Sequence, residues 1–166
     1  MLGFWRGFRS DELCNLRIEH VTVSPGEAVT LYLPSSKGDR ENRGSSYHAP
    51  ALHQLCPVDA VNEWLVMVGR SNGPLFPSID RWGNIADSSM NSGSINKWLR
   101  QLLHNAGVEA SEEYSSHSLR RGFAGWANAN HWDVKTLMQY VGWKDVQSAM
   151  RYVDGTEAIE AFRTLK

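Results

Sequence analysis

Apolar positions along the chain recur first at helical spacing, then in alternation, then at helical spacing to the end. Phe8, Leu13 and Leu16 share one side of a helix read over 5–16, with Ser10, Asp11 and Glu12 on its exposed face. The stretches 18–23 and 28–33 alternate apolar and polar residues around Ser24-Pro25-Gly26-Glu27, a turn sequence, and predict a β-hairpin. A polar segment containing Gly38 and Gly44 leads to a third short strand near 47–49. Beyond it, Val58, Val61, Leu65 and Val68 recur at steps of three and four after Pro57, which suits a first helical turn. Gly73-Pro74 opens a stretch to Ser89 that reads as loop. Ile95, Trp98, Leu99, Leu102 and Leu103 mark a helix over 94–106, with Gly107 placed to end it. Three further helical pieces cover 118–129, 134–141 and 146–152. A last one over 156–165 carries Ala158, Ile159, Phe162 and Leu165 on one side. The fold class is therefore α+β, mostly α-helical with a small three-stranded antiparallel sheet near the N-terminus. Trp64, Trp98 and Trp126 fall on apolar helix faces and are expected in the core, as is Cys14.

Composition narrows this picture. A chain of 166 residues corresponds to one domain, large enough to fold around its own core without disulfides or metal. No apolar run approaches the length of a membrane span, and the first residues lack the pattern of a secretory signal. Cys14 and Cys56 lie far apart with no CxxC, and His20, His48, His53, His104 and His131 show no ligand spacing, so no metal site is expected. A reduced, cytoplasmic setting follows. The formal net charge of -1 excludes a polycationic tail but not a local basic site for phosphate.

The chemistry-bearing stretches are Gly7-Phe8-Arg9-Ser10-Asp11-Glu12-Leu13, Ser36-Lys37-Gly38-Asp39, His117-Ser118-Leu119-Arg120, Gly142-Trp143 and Tyr152. A histidine and an arginine three apart project from one helix face. Alone, that pair carries little information; its place in this ordered series carries more.

In that order and spacing the series resembles the catalytic domain of the tyrosine recombinases, the phage-integrase family of site-specific DNA recombinases. The resemblance runs over 3–154. Arg9 stands at the first arginine of the family's Gly-x-Arg-x-x-Glu-Leu pattern, and Lys37 at the lysine of its β-hairpin region, in a loop shared with Arg40 and Arg43. His117 and Arg120 stand at its His-x-x-Arg pair. Trp143 occupies a position where most members carry histidine and a minority tryptophan. Tyr152 stands at the nucleophile, nine positions further on.

The resemblance implies a DNA strand-transferring enzyme acting through a 3′-phosphotyrosyl intermediate, without metal, ATP or other cofactor. It implies double-stranded DNA as partner and a tetramer on two DNA sites, associated with the nucleoid. Glu12 would support an arginine, and Arg121 would serve in a salt bridge or on the DNA backbone. The roles make chemical sense. A tyrosine of pKa about 10 lies roughly 4 kcal/mol from its phenolate at neutral pH, and adjacent guanidinium groups narrow that gap. Planar Arg9 and Arg120 suit the non-bridging phosphate oxygens. Lys37 suits protonation of the leaving 5′ oxygen, His117 can accept the Tyr152 proton or brace the phosphate, and Trp143 offers an indole N–H.

Two alternatives stay open. Only eight residues precede Arg9, so the chain is expected to be the catalytic part of a longer recombinase. It would lack the N-terminal DNA-clamping domain and the helix before the first arginine. Such a fragment could instead be an inactive DNA-binding or assembly module. The apolar stripe of the last helix could pack at home or on a neighbouring protomer.

Overall fold

The computed structural model describes residues 1–35, 43–143 and 145–153. Two short helices, α1 (Leu2–Trp5) and α2 (Ser10–Asn15), lead through a 3₁₀ turn at Ile18–His20 to three strands, β1 (Val21–Ser24), β2 (Ala28–Leu33) and β3 (Ser45–Pro50). Helix α3 (Pro57–Val68) follows, then a second hairpin of β4 (Pro77–Ile79) and β5 (Ile85–Ser89). Helices α4 (Ser92–Asn105), α5 (Ser116–Ala129), α6 (Val134–Val141) and α7 (Val146–Val153) complete the described chain. The expected last helix at 156–165 lies outside the described residues.

The three strands form an antiparallel sheet in the order β1-β2-β3. Val29, Leu31 and Leu33 alternate into the core and pair with Ala49, Tyr47 and Ser45. A one-residue slip would turn all three toward solvent, so burial fixes the register. Phe8, Leu13 and Leu16 pack on this sheet together with Val58, Val61 and Val68 of α3. A second core joins Phe123, Ala124 and Ala127 of α5, Leu137 and Val141 of α6, Trp143, and Ala149 of α7. Phe4 and Trp5 pack on the second core while Phe8 is part of the first. The segment 4–8 therefore bridges both.

The structure corrects several expectations. The helix read over 5–16 is broken. Gly7 has φ +59, and a Cβ there would stand 3.1 Å from Val141 Cγ1 and 3.4 Å from Arg120 Cγ, so glycine serves both the turn and the close approach. Arg9 is extended (φ -75, ψ 159) and caps α2, its backbone N–H donating to the Glu12 carboxylate. The start of the 18–23 strand is the 3₁₀ turn. The loop read over 73–89 contains β4 and β5. Their pairing is set by turn chemistry: the Asp80 carboxylate accepts from the Trp82 and Asn84 backbone N–H groups and from Asn84 Nδ2. Helices α4 and α5 each begin two residues early, where Asn91 caps Gly93 and Ser115 forms a box with Ser118. Trp98 and Trp126 are not core residues, being 60% and 39% exposed. Trp64 is half-buried and donates its indole N–H to the Leu75 carbonyl at 2.6 Å. Cys14 is buried as expected, and burial pushes its thiol up from the ordinary value.

Candidate active site

One carboxylate organises the site. Glu12 is buried on α2. Its Oε2 accepts the Arg9 backbone N–H at 2.7 Å, and its Oε1 accepts from Arg9 Nη1 at 2.8 Å. The same Oε2 stands 4.0 Å from Arg120 Nη1. Arg120, on α5, also donates to the Gly7 carbonyl. A guanidinium as enclosed as Arg120, whose side chain is 4% exposed, is costly without a nearby anion and acceptors, and Glu12 with Gly7 supplies them. Arg9 differs: 40% of its side chain is open to solvent, so it can meet a ligand directly. Two cations from distant parts of the chain are thus held on one buried anion.

His117 is exposed on α5, one turn before Arg120. Its neighbour Ser116 is buried and doubly held. The Ser116 backbone N–H donates to Asn96 Oδ1 at 2.8 Å, and Ser10 Oγ donates to Ser116 Oγ at 2.8 Å. The residue after Arg9 is therefore bonded to the residue before His117.

Trp143 is buried, with its ring 5.1 Å from Arg120 Cζ, a cation–π distance. It follows Gly142, which ends α6 in the left-handed region (φ 77) and where a Cβ would stand 3.3 Å from the Tyr47 ring. Its backbone N–H donates to Met138 O at 2.8 Å. Helix α7, which carries Tyr152 in its last turn, packs on α5 and α6 through the fully buried Ala149.

Of the six expected residues, the structure brings Arg9, Arg120 and Trp143 around Glu12 and the Arg120 guanidinium. It sets His117 on the same helix as Arg120 and Tyr152 on the adjoining α7. Lys37 lies outside the described residues. Glu12 fills its expected supporting place and reaches both arginines. The sequence reading missed Arg6 and Tyr47, which are buried beside these groups. Burial raises the Tyr47 hydroxyl pKa, with the Glu12 charge adding to it and the Arg6 and Arg120 charges opposing. A charged residue inside the apolar run Phe4-Trp5-Arg6-Gly7-Phe8 was the available signal. Among the described residues no cluster of three or more His, Cys, Asp or Glu could hold a metal ion, and no helix is long and apolar enough to cross a membrane.

Comparison with known proteins gives the family and the fold. A family model described as the phage integrase family matches residues 1–158. An integrase/recombinase xerD homolog of Selenomonas ruminantium is 30% identical over 155 residues, covering 92% of this chain and 45% of that protein. The crystal structure of XerA recombinase has the same fold, with a TM-score of 0.72 at 22% identity over 99% of this chain and 54% of that one. XerH site-specific recombinase, bound to its difH substrate before cleavage, gives 0.66 at 21% identity over 99% and 43%. The chain spans about half the length of these relatives.

Proposed function

The chain belongs to the phage integrase family, and from that premise we propose that it is the catalytic domain of a site-specific recombinase, cutting and rejoining double-stranded DNA. In this reading the Tyr152 oxygen attacks a phosphorus of the DNA backbone. A bond from phosphorus to the tyrosine oxygen forms, and the bond to the 5′ oxygen breaks. The Tyr152 proton passes to His117, and Lys37 delivers one to the departing 5′ oxygen. Arg9 holds a non-bridging oxygen from the open side, and Arg120 faces the developing charge from the floor, with Trp143 against its guanidinium. Attack by a 5′ hydroxyl, of the same duplex or a second one, reverses the step. The phosphodiester energy is kept in the tyrosyl link, so the chemistry calls for no nucleotide or metal.

The observation that carries this reading is the shared carboxylate: Glu12 fixes Arg9 and Arg120 together, a pair matched to the two non-bridging oxygens of one phosphate. Such a domain would work as a tetramer on two DNA sites, in the cytoplasm at the nucleoid. A nicked suicide DNA bearing the cognate site tests it. The expected product is a covalent protein–DNA adduct that is absent in Tyr152→Phe. Intact DNA binding with no adduct would favour the other reading, an assembly module that keeps the site residues.

A further inference from the structure

Among the described residues, Arg6 is the most deeply enclosed cation that the proposed reaction leaves unused. It is 4% exposed and sits at the end of α1. Its Nη1 donates to the His48 carbonyl on β3 at 3.2 Å, and its Nη2 to the Tyr140 carbonyl on α6. Its Cζ lies 3.8 Å from the Tyr140 ring centroid and 5.1 Å from that of Tyr47. Its Nε has no hydrogen-bond partner among the described residues. Burial lowers its pKa from the ordinary value, and Tyr140 opposes that shift. Two ring faces and two carbonyls therefore hold the charge in place of a carboxylate.

One of the two elements gripped by Arg6, helix α6, leads directly to the residue that stands against Arg120. Tyr140 belongs to the last turn of α6, where backbone carbonyls lack helical partners and the helix dipole is negative, so a cation is favoured there. Two residues beyond the end of that helix stands Trp143, against Arg120. On its own strand of chain, Arg6 precedes Gly7, whose carbonyl accepts from Arg120. A closed circuit results: Arg6 to Tyr140, through Gly142 to Trp143, across to Arg120, and back through Gly7.

We infer that Arg6 is a positioning residue, a cationic clamp that holds the Trp143 turn and the Gly7–Arg9 turn at fixed places on either side of Arg120. Its effect on cleavage rests on the recombinase reading; the clamp itself does not. The test compares Arg6→Met and Arg6→Lys with the unaltered chain. Two quantities are read: the indole N–H resonance of Trp143, assigned with Trp143→Phe, and the rate of adduct formation at saturating suicide DNA. In Arg6→Met the Trp143 resonance shifts while that of Trp64, bonded to Leu75 in the other core, stays in place. Adduct formation slows on the order of 10²-fold with DNA affinity unchanged, the scale of a small misplacement of catalytic groups. Arg6→Lys keeps a charge and one donor and recovers part of both. A folded Arg6→Met with an unmoved Trp143 resonance and the original rate overturns the inference, as does displacement of every indole resonance together. Should Arg6→Met fail to fold, Arg6→Lys decides, and wild-type behaviour in both readouts overturns the clamp. Failure of the unaltered chain to form any adduct overturns the recombinase reading instead, and the Trp143 resonance still decides the clamp.

Discussion

Helices α4 and α5 are both 14 residues long and both carry apolar residues at helical spacing, yet the fold treats them differently. Helix α5 buries Ser116, Arg120, Phe123, Ala124 and Ala127 along one face. Helix α4 buries none of its residues fully, and Trp98 and Leu102 are 60% and 65% exposed. Helix α4 is attached through Ile95, half-buried against the first core, and through polar bonds: Asn96 accepts the Ser116 N–H, and Arg100 Nε donates to the Tyr114 carbonyl at 2.9 Å. The difference separates two jobs. The packed helix supplies a rigid base for a buried cation. The surface helix holds the start of that base in place and leaves Trp98 and Leu102 largely open among the described residues.

The largest expected effect lies on α5. Phe123 is 1% exposed and meets Phe4, Trp5, Trp126, Trp132 and Tyr140 at ring distances from 5.3 to 6.4 Å. Phe123→Ala should destabilise by about 3–5 kcal/mol in denaturant unfolding. Equal losses in Phe123→Ala and in an α4 substitution would break the distinction between the helices.

The site should split along the same line. Glu12→Ala leaves the buried Arg120 charge without its carboxylate and removes the α2 cap, for a loss of about 3–5 kcal/mol. Arg9→Ala removes a partly exposed ion pair and should cost no more than about 1 kcal/mol, while lowering adduct formation by roughly 10²–10³. A folded Glu12→Ala as stable as Arg9→Ala would show that the shared carboxylate does not hold Arg120.

On α4, Leu102→Ala should stay within about 0.5 kcal/mol of the original stability. A larger loss, read from the same unfolding curves, would mean that this face is covered.

The smallest effect is far from both helices. Glu19 is held down to about 2 by its own backbone N–H first and by Arg17, Nε to Oε1 at 2.6 Å, with the Gly73 N–H also donating. Its pKa is depressed on folding, so its stabilisation is complete above the ordinary 4.5 and is lost as pH falls toward about 2. In Glu19→Gln the pH dependence of stability should be shallower across that window, and the variant should be less stable than the unaltered chain above it.

Much of this was legible in the residues because burial imposes period. Val29, Leu31 and Leu33 announce a half-buried strand, and α3 and α6 fall where apolar spacing puts them. The candidate site residues stand out in the sequence as an ordered series, and the fold brings Arg9, Arg120 and Trp143 of them together. Three things were not legible. The α1–α2 break depends on a positive φ at Gly7 and a capping bond from Glu12, which an apolar stripe overrides on paper. β5 has one half-buried residue, Ile85, and is held by the Asp80 turn, so alternation is silent. Trp98 and Arg6 invert the usual reading of their side chains: whether a tryptophan is covered or a cation enclosed depends on neighbours distant in sequence.

In the proposed reaction Arg9 and Arg120, joined on Glu12, serve a phosphate attacked by Tyr152. The most direct test incubates the chain with suicide DNA and maps the linked residue by mass spectrometry of the adduct. A phosphodiester bond at Tyr152 is expected, lost in Tyr152→Phe and sharply reduced in Arg9→Ala. An adduct that persists in Tyr152→Phe, or that maps to another tyrosine, would contradict it.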